Sequence, residues 1–264
     1  MNRRQSFGRP APRDAGGSVL VTADADTAIT VVTVRGAWGN ALRGTVFEAV
    51  KKALGGHPAG LILDLCDLAD PRAEGASAWL TVSRVAATMA PPVRIAACLP
   101  GRAALADRLR RLEPSYSLPL FDEMGAARAA VAAGPITNRF RLALPVHPDT
   151  PALARNLVTD ACGAWTLSEV LYPARLVMSE LAGNAIEHAR TPIAVAVLRR
   201  GAGVHLTVCD GDPRLPQPID QTKPPGNLWE ARGQGLRTVQ AASAAWGALP
   251  TREGKMVWAT VRPR

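Results

Sequence analysis

At 264 residues the chain is long enough for two ordinary domains, each burying its own core. Hydrophobic residues make up 47% and charged residues 20%, the balance of a soluble globular protein, and no run approaches the roughly 18 apolar residues a membrane span needs. The net charge of +9 comes largely from arginines scattered through predicted helices and the N-terminal tail, with no helix-turn-helix or zinc-finger pattern, so direct nucleic-acid binding is not expected.

Residues 1–17 combine arginines, glycines and prolines with no apolar segment behind them. They read as a disordered tail and not as a secretory signal, which points to a cytoplasmic protein. Cys66, Cys98, Cys162 and Cys209 are widely spaced and form no C-x-x-C pair, as expected of reduced, mostly buried thiols.

A first unit is expected over residues 18–134. Residues 28–36 are β-branched and end at Gly36, a strand signature. Asn40 opens a helical stretch to Leu54 with Val46, Val50 and Leu54 on one face. Residues 60–65 form a continuous apolar run of the kind seen in strands buried on both sides. A helix over 74–89, a strand over 93–99 and a helix over 102–112 follow, an alternation that predicts an α/β layer with a partly parallel sheet.

Residues 135–139 read as a linker and 140–264 as a second unit. It opens with a strand over 140–145, and Asp149 is placed to cap a helix beginning at Pro151. A long helix is predicted over 171–189, strands over 193–199, 204–210 and 256–261, and a helix over 236–245. The first two of these strands join through a glycine-containing turn, as in a hairpin. Residues 213–232 form a proline-rich loop of lid-like length.

Three patterns in the second unit bear on chemistry. On the long helix, Ala174, Met178, Leu181 and Ala185 share a stripe that should face the core, while Glu180, Asn184, Glu187 and His188 form an adjoining polar wedge. On the strand over 204–210, Asp210 shares parity with Val204, Leu206 and Val208, so its carboxylate needs a buried partner such as an exocyclic amine. Gly233, Gln234 and Gly235 lead into a helix, where free backbone N–H groups suit phosphate. Each pattern alone has a plainer reading: a solvated helix face, a carboxylate capping the Asp-Gly turn, a flexible loop end.

Taken together, their order and spacing match one superfamily. Glu180-Leu-Ala-Gly-Asn184-Ala-Ile-Glu-His188 resembles the N box of the GHKL ATPases, in particular the anti-sigma-factor serine kinases. Val208-Cys-Asp210-Gly211 resembles the first glycine box of that family and Gly233-Gln-Gly235-Leu236 the second. The resemblance implies a C-terminal Bergerat-type α/β sandwich that binds ATP and Mg²⁺. By it, Asn184 coordinates the metal, Asp210 and Gly211 receive the adenine, and Glu180 is the general base toward a serine hydroxyl. Gly233, Gln234, Gly235 and Leu236 cradle the phosphates, and His188 packs near the sugar. Asp212-Pro213-Arg214 replaces the rest of the usual D-x-G-x-G, Gln234 stands where relatives carry arginine, and Lys223 or Arg232 could compensate.

The first unit resembles the STAS domain of anti-anti-sigma factors, through its strand end at 32–36 and the Asp64-Leu65 that closes the second strand. Arg72-Ala73-Glu74-Gly75 falls where that family carries a phosphorylated serine, so the glycine is kept and the hydroxyls are absent. Glu74 either imitates part of a phosphoserine's charge or simply suits the first turn of a helix. The expected function is ATP-dependent phosphorylation of a separate STAS protein, or binding of a sigma factor, in a partner-switching pathway. The alternative is a non-catalytic nucleotide-binding module that sequesters such a partner. Members of this family often form homodimers, and nothing in the sequence decides between one copy and two.

Overall fold

The computed structural model describes residues 17–24, 26–89, 91–112, 118–132, 138–216 and 234–263. They form a mixed α/β structure with two sheets. The expected tail (save Gly17), residues 135–137 of the expected linker, most of the proline-rich loop and Gly233 lie outside them.

The first sheet contains β1 (Ser18–Ala23), β2 (Ile29–Ala37), β3 (Gly60–Asp64), β4 (Leu68–Ala69), β5 (Arg94–Cys98) and β6 (Leu120–Phe121). Its order is β1-β2-β3-β5-β6, with β4 also beside β2. β1 runs antiparallel to β2 and the remaining pairs are parallel. Helices α1 (Asn40–Gly55), α2 (Ala76–Thr88) and α3 (Ala104–Leu112) cover one face, and α4 (Met124–Ala132) covers the other. Leu61 and Leu63 therefore join the cluster around Trp79, while Ile62 between them meets Val131 of α4. Burial on both faces is why β3 reads as an uninterrupted apolar run.

α2 starts two residues later than expected. Asp70, itself buried, accepts hydrogen bonds from the amides of Glu74 (2.9 Å) and Gly75 (2.8 Å), which holds both ahead of the helix. Cys66 and Cys98, 32 residues apart, bring their sulfurs to 3.6 Å at the carboxyl ends of the parallel strands. Cys66 is exposed, while Cys98 and Cys162 are buried and Cys209 is half-buried.

The second sheet contains β7 (Arg139–Leu144), β8 (Ile193–Arg200), β9 (Gly203–Asp210), β10 (Ala245–Pro250) and β11 (Lys255–Val261). Its order is β10-β11-β9-β8-β7, antiparallel throughout. Helices α5 (Thr150–Ala164), α6 (Ser168–His188) and α7 (Gln234–Ala242) contribute to a common core on one face. α6 begins three residues earlier than expected and runs through Pro173; so near the start of a helix, a missing N–H forfeits only one backbone bond. Asp149 does not cap α5. Its backbone is helical (φ −81°, ψ −7°) where a capping residue needs an extended conformation, and its carboxylate turns to His147. Ala245, expected at a helix end, opens β10.

The opposite face of the second sheet is covered by the first half of the chain. Ala23 bridges to Thr251, and Ala23, Leu249, Met256 and Trp258 form one apolar cluster across the junction. The Trp258 indole packs on Gly247 and Gly55, where a Cβ would stand 2.8 Å and 3.0 Å from the ring. His205 is 0% exposed, with Nε2 at 3.0 Å from the Gly56 carbonyl and Nδ1 at 2.9 Å from Thr260 Oγ1. Burial pushes its pKa down to about 3. The ring is thus neutral, donating from Nε2 to the carbonyl and accepting at Nδ1 from the threonine. Arg141 pairs with Asp26, and Arg200 donates to His57 Nδ1.

The junction engages the amino ends of the first sheet's parallel strands, through Ala28 and Pro58, and the residues that follow α1 and α2. Residues 72–75 sit at the other end of α2, which at about 1.5 Å per residue spans roughly 20 Å.

Candidate functional site

Between α6 and the second sheet lies a cavity of about 310 Å³. Leu181, Asn184, Ala185 and His188 reach it from α6, Val208 and Asp210 from β9, and Lys255 and Val257 from β11. Gly235 and Leu236 line it from the start of α7, and residues 212 and 214–216 close another side. Helical spacing places Leu181, Asn184, Ala185 and His188 on one edge of α6, and strand parity aims Val208 and Asp210 the same way. Asn184 and Asp210, singled out on separate elements, therefore face one cavity from opposite walls.

Asn184 is half-buried and His188 exposed. Glu180 stands one turn before Asn184 and is half-buried but does not line the cavity. The backbone of Gly235 passes directly over these two side chains. A Cβ there would stand 2.7 Å from Glu180 Oε2 and 3.2 Å from Asn184 Oδ1. Only glycine allows that approach without displacing them. Gly211 does not line the cavity: its N–H donates to Thr191 Oγ1 at 2.8 Å. Glu187 is exposed and also lies outside the lining. Gly233, Lys223, Arg232 and the Gln234 side chain are not among the described residues.

The Asp210 end of the cavity is a cluster of four charges. Asp210 is 6% exposed, and its Oδ1 accepts from the Asp212 amide at 2.9 Å and from Lys255 Nζ at 2.9 Å. The ammonium also donates to the Asp212 carbonyl at 3.1 Å and lies 3.6 Å from Asp212 Oδ2. Arg214 Nε holds the Asp212 carboxylate at 3.0 Å, and this bond is the main reason its pKa falls to about 2. Two cations and two carboxylates cancel, and among the described residues both cations lining the cavity are paired. Lys255 is the member the sequence did not flag. Cross-strand pairing of Lys255 with Asp210 puts it there, a register that could be foreseen only by knowing that β11 adjoins β9.

No protein-family model matches the sequence, and no curated protein does. Among solved structures the chain is similar to an anti-sigma factor antagonist from Mycobacterium paratuberculosis, at 19% identity and a TM-score of 0.38. The match covers 47% of this chain and 98% of that one, a likeness too low to carry an argument about function. Among the described residues, no helix is long and apolar enough to cross a membrane.

Proposed function

We propose that residues 140–264 form a GHKL-type nucleotide domain that transfers phosphate from ATP to a serine of a separate STAS-type protein, with residues 18–134 as a degenerate STAS-like domain fused to it. The observation that carries this reading is the meeting of Asn184 and Asp210 in one cavity with Gly235 at its edge. A carboxamide, a buried carboxylate and a side-chain-free backbone segment at a helix start are what a nucleotide's metal, base and phosphates respectively require. The apolar surfaces of Leu181, Ala185, Val208 and Val257 suit a flat ring between them.

The residues also fit Mg²⁺. Among the described residues there is no cluster of three or more His, Cys, Asp or Glu able to enclose a metal. Asn184 would hold the ion as one oxygen ligand beside phosphates and waters, the usual arrangement for Mg²⁺. When bound, Mg²⁺ supplies charge neutralisation to the phosphates. Glu180, one turn away and beneath the Gly235 backbone, is the carboxylate available to orient and deprotonate an attacking hydroxyl.

The acceptor is read as a separate protein because residues 72–75 carry no hydroxyl and lie at the end of α2 opposite the one at the junction. A sigma factor or a STAS protein is the partner class that this reading carries. The test is titration with Mg·ATP and a transfer assay on a panel of STAS proteins. Wild type should bind and transfer, Asn184→Ala should lose about tenfold or more in Mg-dependent affinity, and Glu180→Ala should bind but not transfer. Unchanged affinity in Asn184→Ala counts against the metal role. A second reading, nucleotide binding without turnover, is favoured by the pairing of Lys255 and Arg214, the two cations among the described lining residues, with carboxylates instead of a triphosphate. Binding without transfer to any acceptor would select it.

A further inference from the structure

The Asp210 carboxylate, the group expected to read a base, is already engaged by this chain's own ammonium. Asp210 and Lys255 are directly opposed residues of an antiparallel pair, so the contact is built into the register of β9 and β11. Lys255 is 7% exposed, and water competes weakly for either partner. We propose that Lys255 is a specificity-determining residue. By holding Asp210, it removes the site's preference for a purine that carries an exocyclic 6-amine. The proposal rests on the reading of the cavity as a nucleotide site.

The chemistry follows from what each atom has left to offer. Asp210 Oδ1 takes two strong donors, the Lys255 ammonium and the Asp212 amide. The ammonium spends a second proton on the Asp212 carbonyl. An arriving amine therefore meets a carboxylate whose charge is cancelled, and gains a weaker bond than a free carboxylate would give. Displacing the ammonium is no easier, since it would leave a buried cation with only the more distant Asp212 carboxylate, 3.6 Å away against 2.9 Å for Asp210. The walls formed by Leu181, Ala185, Val208 and Val257 contact a ring's faces regardless of its substituents. Ring burial and phosphate contacts then supply affinity, and the 6-amine adds little.

The test compares two probes on the full chain with Mg²⁺: ATP and purine riboside triphosphate, which has hydrogen in place of the amine. In wild type the two dissociation constants should agree within about threefold, and in Lys255→Met ATP should be favoured by about tenfold or more, the worth of a hydrogen bond to an unscreened carboxylate. Wild type favouring ATP beyond that threefold margin overturns the proposal. So does a folded Lys255→Met that fails to discriminate. Should Lys255→Met not fold, by circular dichroism, the wild-type ratio decides alone. Binding of neither nucleotide at millimolar concentration by wild type or folded variant overturns the nucleotide-site reading itself, a failure distinct from binding with the wrong preference.

Discussion

One strand, β9, serves two surfaces built on different rules. Toward the first half of the chain it presents His205, whose two ring nitrogens are completed by fixed partners, a backbone carbonyl and a threonine hydroxyl on the adjacent strand. Toward the cavity it presents Asp210, five residues on, completed in part by the tip of a lysine side chain. Both groups are buried, so both must be paired. The first arrangement involves short side chains and backbone with little freedom to rearrange. The second depends on the charged tip of a long side chain, held by Asp210 and by the Asp212 carbonyl. The junction face is thus closed by neutral hydrogen bonds and the cavity face by paired charges.

The largest effect that could break this contrast lies at the junction. Trp258→Ala removes the indole seated on Gly247 and Gly55, and should cost about 3–5 kcal/mol in denaturant unfolding. A loss near zero would mean that the two halves are not held by this contact. Acid comes next. His205 ordinarily titrates near 6.5, and burial lowers it to about 3 in the folded chain. The unfolded chain therefore binds a proton that the folded one refuses. The stability due to neutral His205 is complete above pH 6.5 and is lost as pH falls toward 3. The expected slope is about 1.4 kcal/mol per pH unit within that window, measured as the difference between wild type and His205→Asn. Parallel pH profiles for the two would refute it.

The contrast also marks what could be read in the sequence. Helix periodicity brought Asn184 and His188 to one edge of α6, and strand parity aimed Asp210 at the same side. Both are local properties. The cavity, however, also takes Leu181 and Ala185 from the stripe assigned to the core and leaves out Glu180 and Glu187 of the wedge. His205 and Thr207 have the opposite parity to the row Val204, Leu206 and Val208. They are buried because the first half of the chain covers that face, a long-range packing that no window of β9 encodes. Lys255 lies just before the strand predicted over 256–261, and its place opposite Asp210 depends on the equally long-range pairing of β11 with β9. β4 and β6, two residues each, are too short to carry a period, and α4 is so rich in alanine that its buried face scarcely differs from its exposed one. Asp149 had the right residue type for a cap, but its helical backbone angles keep the carboxylate from the first-turn amides.

The smallest expected effect sharpens the junction side of the comparison. Thr260→Val nearly preserves shape and removes the hydroxyl that donates to His205 Nδ1. An acceptor left unmet in a buried site costs about 1–3 kcal/mol, and the lower part of that range is expected here because only one of the two ring nitrogens is affected. Stability alone would not separate this from ordinary repacking, so the acid profile is the sharper measurement. While it donates, the threonine favours the neutral ring; burial is the larger cause of the low pKa and persists in the variant, so without the hydroxyl the His205 pKa rises only slightly. Folded and unfolded states then differ slightly less in proton uptake, and the acid-dependent loss must shrink slightly in Thr260→Val relative to wild type. A variant destabilised by the same amount but with an unaltered acid slope would mean that Thr260 fills space beside the ring without fixing its protonation.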